Sequence, residues 1–133
     1  SIPNSSVTSY TIFVDCKSLS ASGAGFVFRN SSSSLTYALY FYGGKWDVYN
    51  GSAFITKYDI TSTRGKIAIV HTPSSVKVFI NGVNDTASGA SSNNKLAQQI
   101  SFDLSNDRMA DINSIIYFPT PLTDAECQAL TTI

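Results

Sequence analysis

The stretch Val76-Lys77-Val78-Phe79-Ile80-Asn81-Gly82-Val83 decides the fold class. β-Branched residues recur at every second position up to Asn81-Gly82, and the apolar run resumes at Val83. An Asn-Gly pair between apolar runs is the strongest short signal for a hairpin, because both residues tolerate the positive φ of a type I′ turn. A tight antiparallel hairpin is expected there. Working outward, Lys66 to His71 precedes it, and Tyr10, Ile12 and Val14 alternate with Thr11, Phe13 and Asp15 near the start. Similar runs lie at Gly25 to Arg29, Thr36 to Tyr42, Trp46 to Tyr49, Ala53 to Tyr58, Gln99 to Leu104 and Ala110 to Phe118. Each is bounded by Gly, Asn or Ser clusters, the punctuation of β structure. The serine-rich segments Ser18 to Ser22, Asn30 to Ser34 and Ser88 to Asn94 read as surface loops, with Ser31 to Ser34 a mobile tip.

Only the tail has helical grammar. Pro119 and Pro121 end the last run, Thr123 can cap a helix, and Glu126 three residues later can reciprocate. That helix would turn Cys127 and Leu130 towards the body, with Leu122 as the staple before the cap. The expectation is an all-β fold: an antiparallel two-sheet β-sandwich, or jelly roll, with a short C-terminal helix.

With 133 residues the chain fits one domain, residues 1–133. Only 14% of its residues are charged, against roughly 25% in an average domain, so Ser, Thr, Asn and backbone must keep its surface wet. Nine basic and nine acidic residues, scattered singly, give a net charge of zero. This excludes the basic footprint of nucleic-acid or anionic-lipid binding. No apolar run approaches the roughly 18 residues of a spanning helix, and Ser1 to Ser9 has neither a basic start nor an apolar stretch. Cys16 and Cys127 read as two partly buried, reduced core residues, with a disulfide between the first and last elements as the alternative.

The hairpin "VKVFINGV" followed by "ISFDLSNDRMADINSIIYFPTPLTDAECQALTTI" resembles the concanavalin A-like lectin/glucanase superfamily, particularly laminin G-like domains. The resemblance rests on the Phe79 to Val83 turn, the Asp111-Ile112 pair before the apolar Ile115 to Phe118, and the close Leu122 to Glu126 leading into Leu130. It covers the second half, from about Gly65 onwards, and the first half only by strand rhythm. The ending "LTDAECQALTT" is similar to the C-termini of bacteriophage tail fibres and tailspikes, and also to secreted bacterial laminin G-like modules. The phage resemblance implies the C-terminal module of a longer, homotrimeric virion protein that acts outside the cell on a bacterial surface polysaccharide or lipopolysaccharide.

Members of that superfamily that cleave glycans need two facing carboxylates. The acids here are Asp15, Asp47, Asp59, Asp85, Asp103, Asp107, Asp111, Asp124 and Glu126, with no Glu-x-Asp-x-x-Glu cluster. Asp103, Asn106, Asp107 and Asp111 are close enough in sequence to surround a calcium ion, but ordinary loop capping is the preferred reading and no cofactor is expected. His71 is the single histidine, which rules out multi-histidine zinc sites; before Thr72-Pro73 it reads as a strand-end residue. No Gly-x-Ser-x-Gly elbow, Cys-x-x-Cys pair or phosphate-cradling loop is present. The domain is expected not to be an enzyme.

The stretch "TYALYFYGGKWDVYNGSAF", residues 36–54, most resembles a binding site. Tyr37, Leu39 and Phe41 alternate with Ala38, Tyr40 and Tyr42, so both sides of one strand carry large aromatics, while a sandwich needs only one apolar side. Exposed Tyr and Trp rings stack on the C–H faces of sugars while Asp, Asn and backbone bond the hydroxyls. Trp46, Tyr40, Tyr42 and Tyr49 are therefore the candidate stacking residues, with Asp47 and Asn50 as polar partners. The competing reading places these rings between the sheets. The expected function is non-catalytic carbohydrate recognition, with a structural or trimerising cap, or a glycoside hydrolase, as alternatives.

Overall fold

A computed structural model describes residues 7–18, 22–29, 35–42, 45–56, 58–59, 64–88, 97, 99–102 and 110–133. Among these the chain forms β1 (Tyr10–Ser18), β2 (Ser22–Arg29), β3 (Leu35–Tyr42), β4 (Lys45–Tyr49), β5 (Tyr58–Asp59) and β6 (Arg64–His71). Then come β7 (Val76–Ile80), β8 (Val83–Asn84), β9 (Gln99–Phe102), β10 (Ala110–Phe118) and α1 (Asp124–Thr131). One five-stranded sheet runs β10-β1-β6-β7-β8 and the other β5-β4-β3-β2-β9. All pairings are antiparallel. This is the expected two-sheet jelly-roll sandwich with its C-terminal helix.

The Asn81-Gly82 turn forms as its chemistry dictates, with φ of 51° and 83° and Ile80 opposite Val83. The capping box also forms. The Thr123 hydroxyl accepts from the Glu126 N–H at 3.3 Å, and a Glu126 oxygen accepts from the Thr123 N–H at 2.8 Å. The helix turns Cys127 and Thr131 inward, while Leu130, expected to be the second anchor, is only half-buried. Thr131 can sit there because its hydroxyl donates to the Cys127 carbonyl at 2.7 Å and accepts from the Gly82 N–H at 3.1 Å. The expected strand from Ala53 to Tyr58 does not form: Phe54 makes a single bridge to Tyr49 and only Tyr58–Asp59 pairs with β4. Ser52 and Ala53 are held in a turn instead. The serine-rich connections fall largely outside the described residues.

The main core lies between the sheets. Tyr10, Ile12, Val14 and Cys16 of β1, Ile67 and Ile69 of β6, and Val76, Val78 and Ile80 of β7 meet Tyr37, Leu39, Trp46 and Val48 of the facing sheet. A second cluster, Ala68, Val70, Phe79 and Cys127 with Leu122 against it, fills the space between the first sheet and α1. Burial on both faces explains the unbroken apolar run Ile67 to Val70, where a one-sided sheet would alternate. Thr11, buried on that outer face, donates to the Thr120 carbonyl at 3.2 Å and accepts from the Leu122 N–H at 2.9 Å, tying the approach to the helix onto β1. Cys16 and Cys127 are both free and buried in these two different clusters. Burial pushes their thiols up, to about 12 and about 11.

The sheets are keyed together where the Trp46 indole lies on Gly65 of β6. A Cβ at position 65 would stand 3.0 Å from the Trp46 Cε2 and 3.3 Å from its Cζ2. Gly65→Ala should therefore lower unfolding stability by about 1–3 kcal/mol through overpacking, and Trp46→Ala by about 3–5 kcal/mol. Urea unfolding of the single and double variants checks the contact. With Trp46→Phe already present the Gly65→Ala cost should largely vanish; an equal cost in both backgrounds would contradict it.

Candidate functional site

In β4 the residues alternate strictly. Trp46 and Val48 face the first sheet, leaving Lys45, Asp47 and Tyr49 on the outer face. Residues directly opposite in an antiparallel ladder share a face, so Asp47 stands across from Tyr40, and Tyr49 across from Ala38. Tyr40 and Tyr49 are half-buried there, their ring centres 6.3 Å apart at 89°.

A third ring completes the group. Beyond Tyr49 the Asn50-Gly51 pair turns the chain back, with Gly51 at φ 87°. The Asn50 side-chain oxygen accepts from the N–H groups of Ser52 at 3.0 Å and Ala53 at 2.9 Å, and the Asn50 N–H donates to the Ala53 carbonyl at 3.0 Å. Phe54 is thereby delivered opposite Tyr49 while Ile55 enters the core. The Phe54 ring lies 5.7 Å from Tyr40 at 75° and 5.2 Å from Tyr49 at 54°. It is 45% exposed, so its ring is open to solvent beside the two half-buried tyrosines. The sequence offered a signal for Phe54, a second Asn-Gly turn, which the strand expected over Ala53 to Tyr58 obscured.

Two of the expected site residues need correction. Trp46 is 2% exposed, clamped between the sheets on Gly65, so its ring presents no stacking face. Asn50 is 4% exposed and its side-chain oxygen holds the turn, making it the residue that positions Phe54 and not a direct polar partner. Asp47 is on the outer face beside Tyr40, 8% exposed. The Tyr42 side chain lies outside the described residues, as do Asp103, Asn106 and Asp107 of the weighed calcium site. Among the described residues no three His, Cys, Asp or Glu side chains group as metal ligands.

His71 ends β6, as expected, but inside the core. It is stacked on Tyr10 at 4.8 Å and 15°, and shares a 2.6 Å hydrogen bond between Nδ1 and the Tyr37 hydroxyl. The Tyr10 hydroxyl accepts from the Ala97 N–H at 3.2 Å. Burial lowers the His71 pKa and raises those of Tyr10 and Tyr37, so this cross-sheet network is uncharged at neutral pH. At the far end of the first sheet an open groove of about 480 Å³ is lined by Asp15, Lys17, Arg64, Asp111 and Asn113. Arg64 grips both Asp15 oxygens, at 3.2 and 2.9 Å, and the Asn113 amide donates to one at 2.8 Å. The Arg64 guanidinium holds the Asp15 carboxyl below the usual carboxylate range. Asn113 sits where the β1–β10 register shifts, so the cluster secures a bulge.

No family model and no curated protein matches the sequence. Solved structures do match the fold. A sialidase of Trypanosoma rangeli superposes with a TM-score of 0.67 at 9% identity, over 94% of this chain and 22% of that one. The CBM40 of the Ruminococcus gnavus IT-sialidase gives 0.61 at 13% identity, over 97% of this chain and 85% of that one. An alginate lyase of polysaccharide lyase family 7 gives 0.53 at 15% identity, over 82% and 58%. The chain thus spans about a fifth of the sialidase length and most of the CBM40. These likenesses show the fold alone, a two-sheet jelly roll.

The pH dependence of stability follows from His71. Because the folded state holds its pKa below the ordinary value of about 6.5, the unfolded chain takes up a proton first as pH falls. Stability contributed by the neutral ring is full above about pH 6.5 and should decline as pH drops through and below it. Urea unfolding between pH 7.5 and 5 should show this slope, and His71→Gln should flatten it, since the chain has one histidine. A slope unchanged by His71→Gln would assign it to other groups.

Proposed function

We propose that the domain binds carbohydrate, without cleaving it, on the outer face of the β5-β4-β3-β2-β9 sheet. The observation that carries this reading is the Tyr40–Tyr49–Phe54 cluster, three mutually packed rings with Phe54 left open to solvent. Such a cluster suits the C–H face of a pyranose, and the tyrosine hydroxyls and Asp47 supply directional bonds at its edge. Fold neighbours support the reading, since the Ruminococcus gnavus CBM40 has been solved bound to α2,3-sialyllactose. Recognition without catalysis is supported by the other work of three of the described acids: Asp15 is fixed by Arg64 and Asn113, Glu126 closes the capping box, and Asp124 pairs with Lys77 at 2.7 Å.

The ending Leu122 to Thr132, with its likeness to phage fibre C-termini, supports a finer setting. In it the domain is the tip of a homotrimeric tail fibre or tailspike, outside the cell, touching a bacterial surface polysaccharide or lipopolysaccharide. Three sites held together would convert weak single contacts into useful avidity. A secreted bacterial module is the other setting.

A glycan array probed with monomeric and artificially trimerised protein tests both levels. Binding is expected, stronger for the trimer. Phe54→Ala and Tyr40→Ala should each weaken it by about tenfold or more, the cost of losing a central aromatic contact of over 1 kcal/mol. Full binding by both variants would remove the site, and no binding in either form would remove the function.

A further inference from the structure

Resting on the carbohydrate reading, we infer that Tyr40, Tyr49 and Phe54 together form a seat for one pyranose residue, with Phe54 the ring that stacks on the sugar and the two tyrosines its supports. The three ring centres lie 5.2, 5.7 and 6.3 Å apart, all within the range of aromatic pairing. Tyr40 meets Phe54 at 75° and Tyr49 at 89°, the edge-to-face arrangement. In such a contact the edge of one ring covers a face of the other, and a covered face is lost to a sugar. Of the three, Phe54 is the open ring, while both tyrosines are half-buried.

Rings that each stack on a successive residue of a glycan chain need a different layout. They must stand side by side with their faces open, so that each holds its own sugar independently. Here no two of the three rings approach parallel, since Tyr49 is also inclined at 54° to Phe54. A sugar face laid flat on Phe54 therefore meets the other two rings obliquely. The backbone supports the same division of labour. Tyr40 and Tyr49 stand on paired strands, β3 and β4, whereas Phe54 is delivered by the Asn50 turn as the bridge partner of Tyr49. The sheet fixes the two tyrosines, and the ring on the turn leans on them. Removing either tyrosine takes away that support and so acts on the sugar through Phe54. The ligand of this seat is a single pyranose with an apolar C–H face, either as a simple glycoside or as one residue of a longer glycan.

Energetic coupling between the rings tests the seat. The probes are methyl glycosides of glucose, galactose, mannose and N-acetylglucosamine beside tetrasaccharides of the same sugars, titrated by NMR chemical shift. At least one methyl glycoside is expected to bind, and Phe54→Ala should weaken it and its tetrasaccharide by the same factor, about tenfold. Tyr49→Ala should weaken both about as much, and Tyr49→Phe, which keeps the ring, should return binding to within about threefold of the unaltered protein. The double variant Phe54→Ala/Tyr49→Ala should bind within about twofold of Phe54→Ala alone, whereas independent contacts would multiply to about a hundredfold loss. Phe54→Leu, apolar but without a π face, takes the place of Phe54→Ala should that variant not fold. Losses that multiply, or that appear with tetrasaccharides and not with glycosides, would overturn the single seat while leaving the carbohydrate site standing. A Tyr49→Phe variant as weak as Tyr49→Ala would overturn the supporting role of the ring. Full binding by every variant would remove the site and the seat with it, and absence of binding to every probe would remove the carbohydrate reading and this inference together.

Discussion

The indole of Trp46 resting on the bare backbone of Gly65 is the contact on which the arrangement of the second sheet depends. A strand has two faces and a slip of one residue exchanges them. With Trp46 seated between the sheets, β4 has one allowed parity: Val48 follows it inward, and Asp47 and Tyr49 must face out. The β3 strand, paired in register, then sends Tyr37 and Leu39 inward and leaves Tyr40 outside. The largest side chain in the core thus defines, by exclusion, which residues meet a ligand. Gly65 is as necessary to this as Trp46, because a side chain there would occupy the seat.

What was readable in the sequence was whatever is decided locally. The Asn81-Gly82 hairpin, the Thr123–Glu126 box and the period-two runs each depend on residues a few positions apart, and the hairpin, the box and the runs other than Ala53 to Tyr58 appear among the described residues. The candidate site was readable only as a neighbourhood. Aromatic residues on both sides of 37–42 made the two faces indistinguishable, and the partner that settles the matter, Gly65, lies nineteen positions beyond Trp46 with no local mark of its role. Trp46 consequently drew attention as an exposed platform when it is the keystone of the core. Phe54 was hidden for a different reason: apolar residues from Ala53 to Ile55 suggested a strand, whereas the Asn50 side chain folds the same residues into a turn.

The scarcity of charge gains a structural meaning. Polar groups inside this sandwich are satisfied chiefly by hydroxyls, amides and one neutral imidazole. Tyr37 meets His71, Tyr10 meets the Ala97 N–H, Thr11 serves both Thr120 and Leu122, and Thr131 joins α1 to the hairpin turn. Uncharged pairs of this kind avoid the large desolvation cost of buried ions, provided each group finds its partner. The charged pair Asp15–Arg64 lies at the sheet's end, where the guanidinium stays half-exposed.

The two cysteines occupy opposite sides of one sheet, Cys16 between the sheets and Cys127 beneath the helix, so a continuous layer of β1, β6 and β7 backbone stands between their clusters. Their thiols, pushed far above neutral pH by burial, are nearly devoid of the thiolate that attacks disulfides and oxidants. The fold is consequently indifferent to redox potential: it has no cross-link to gain in an oxidising medium and none to lose in a reducing one.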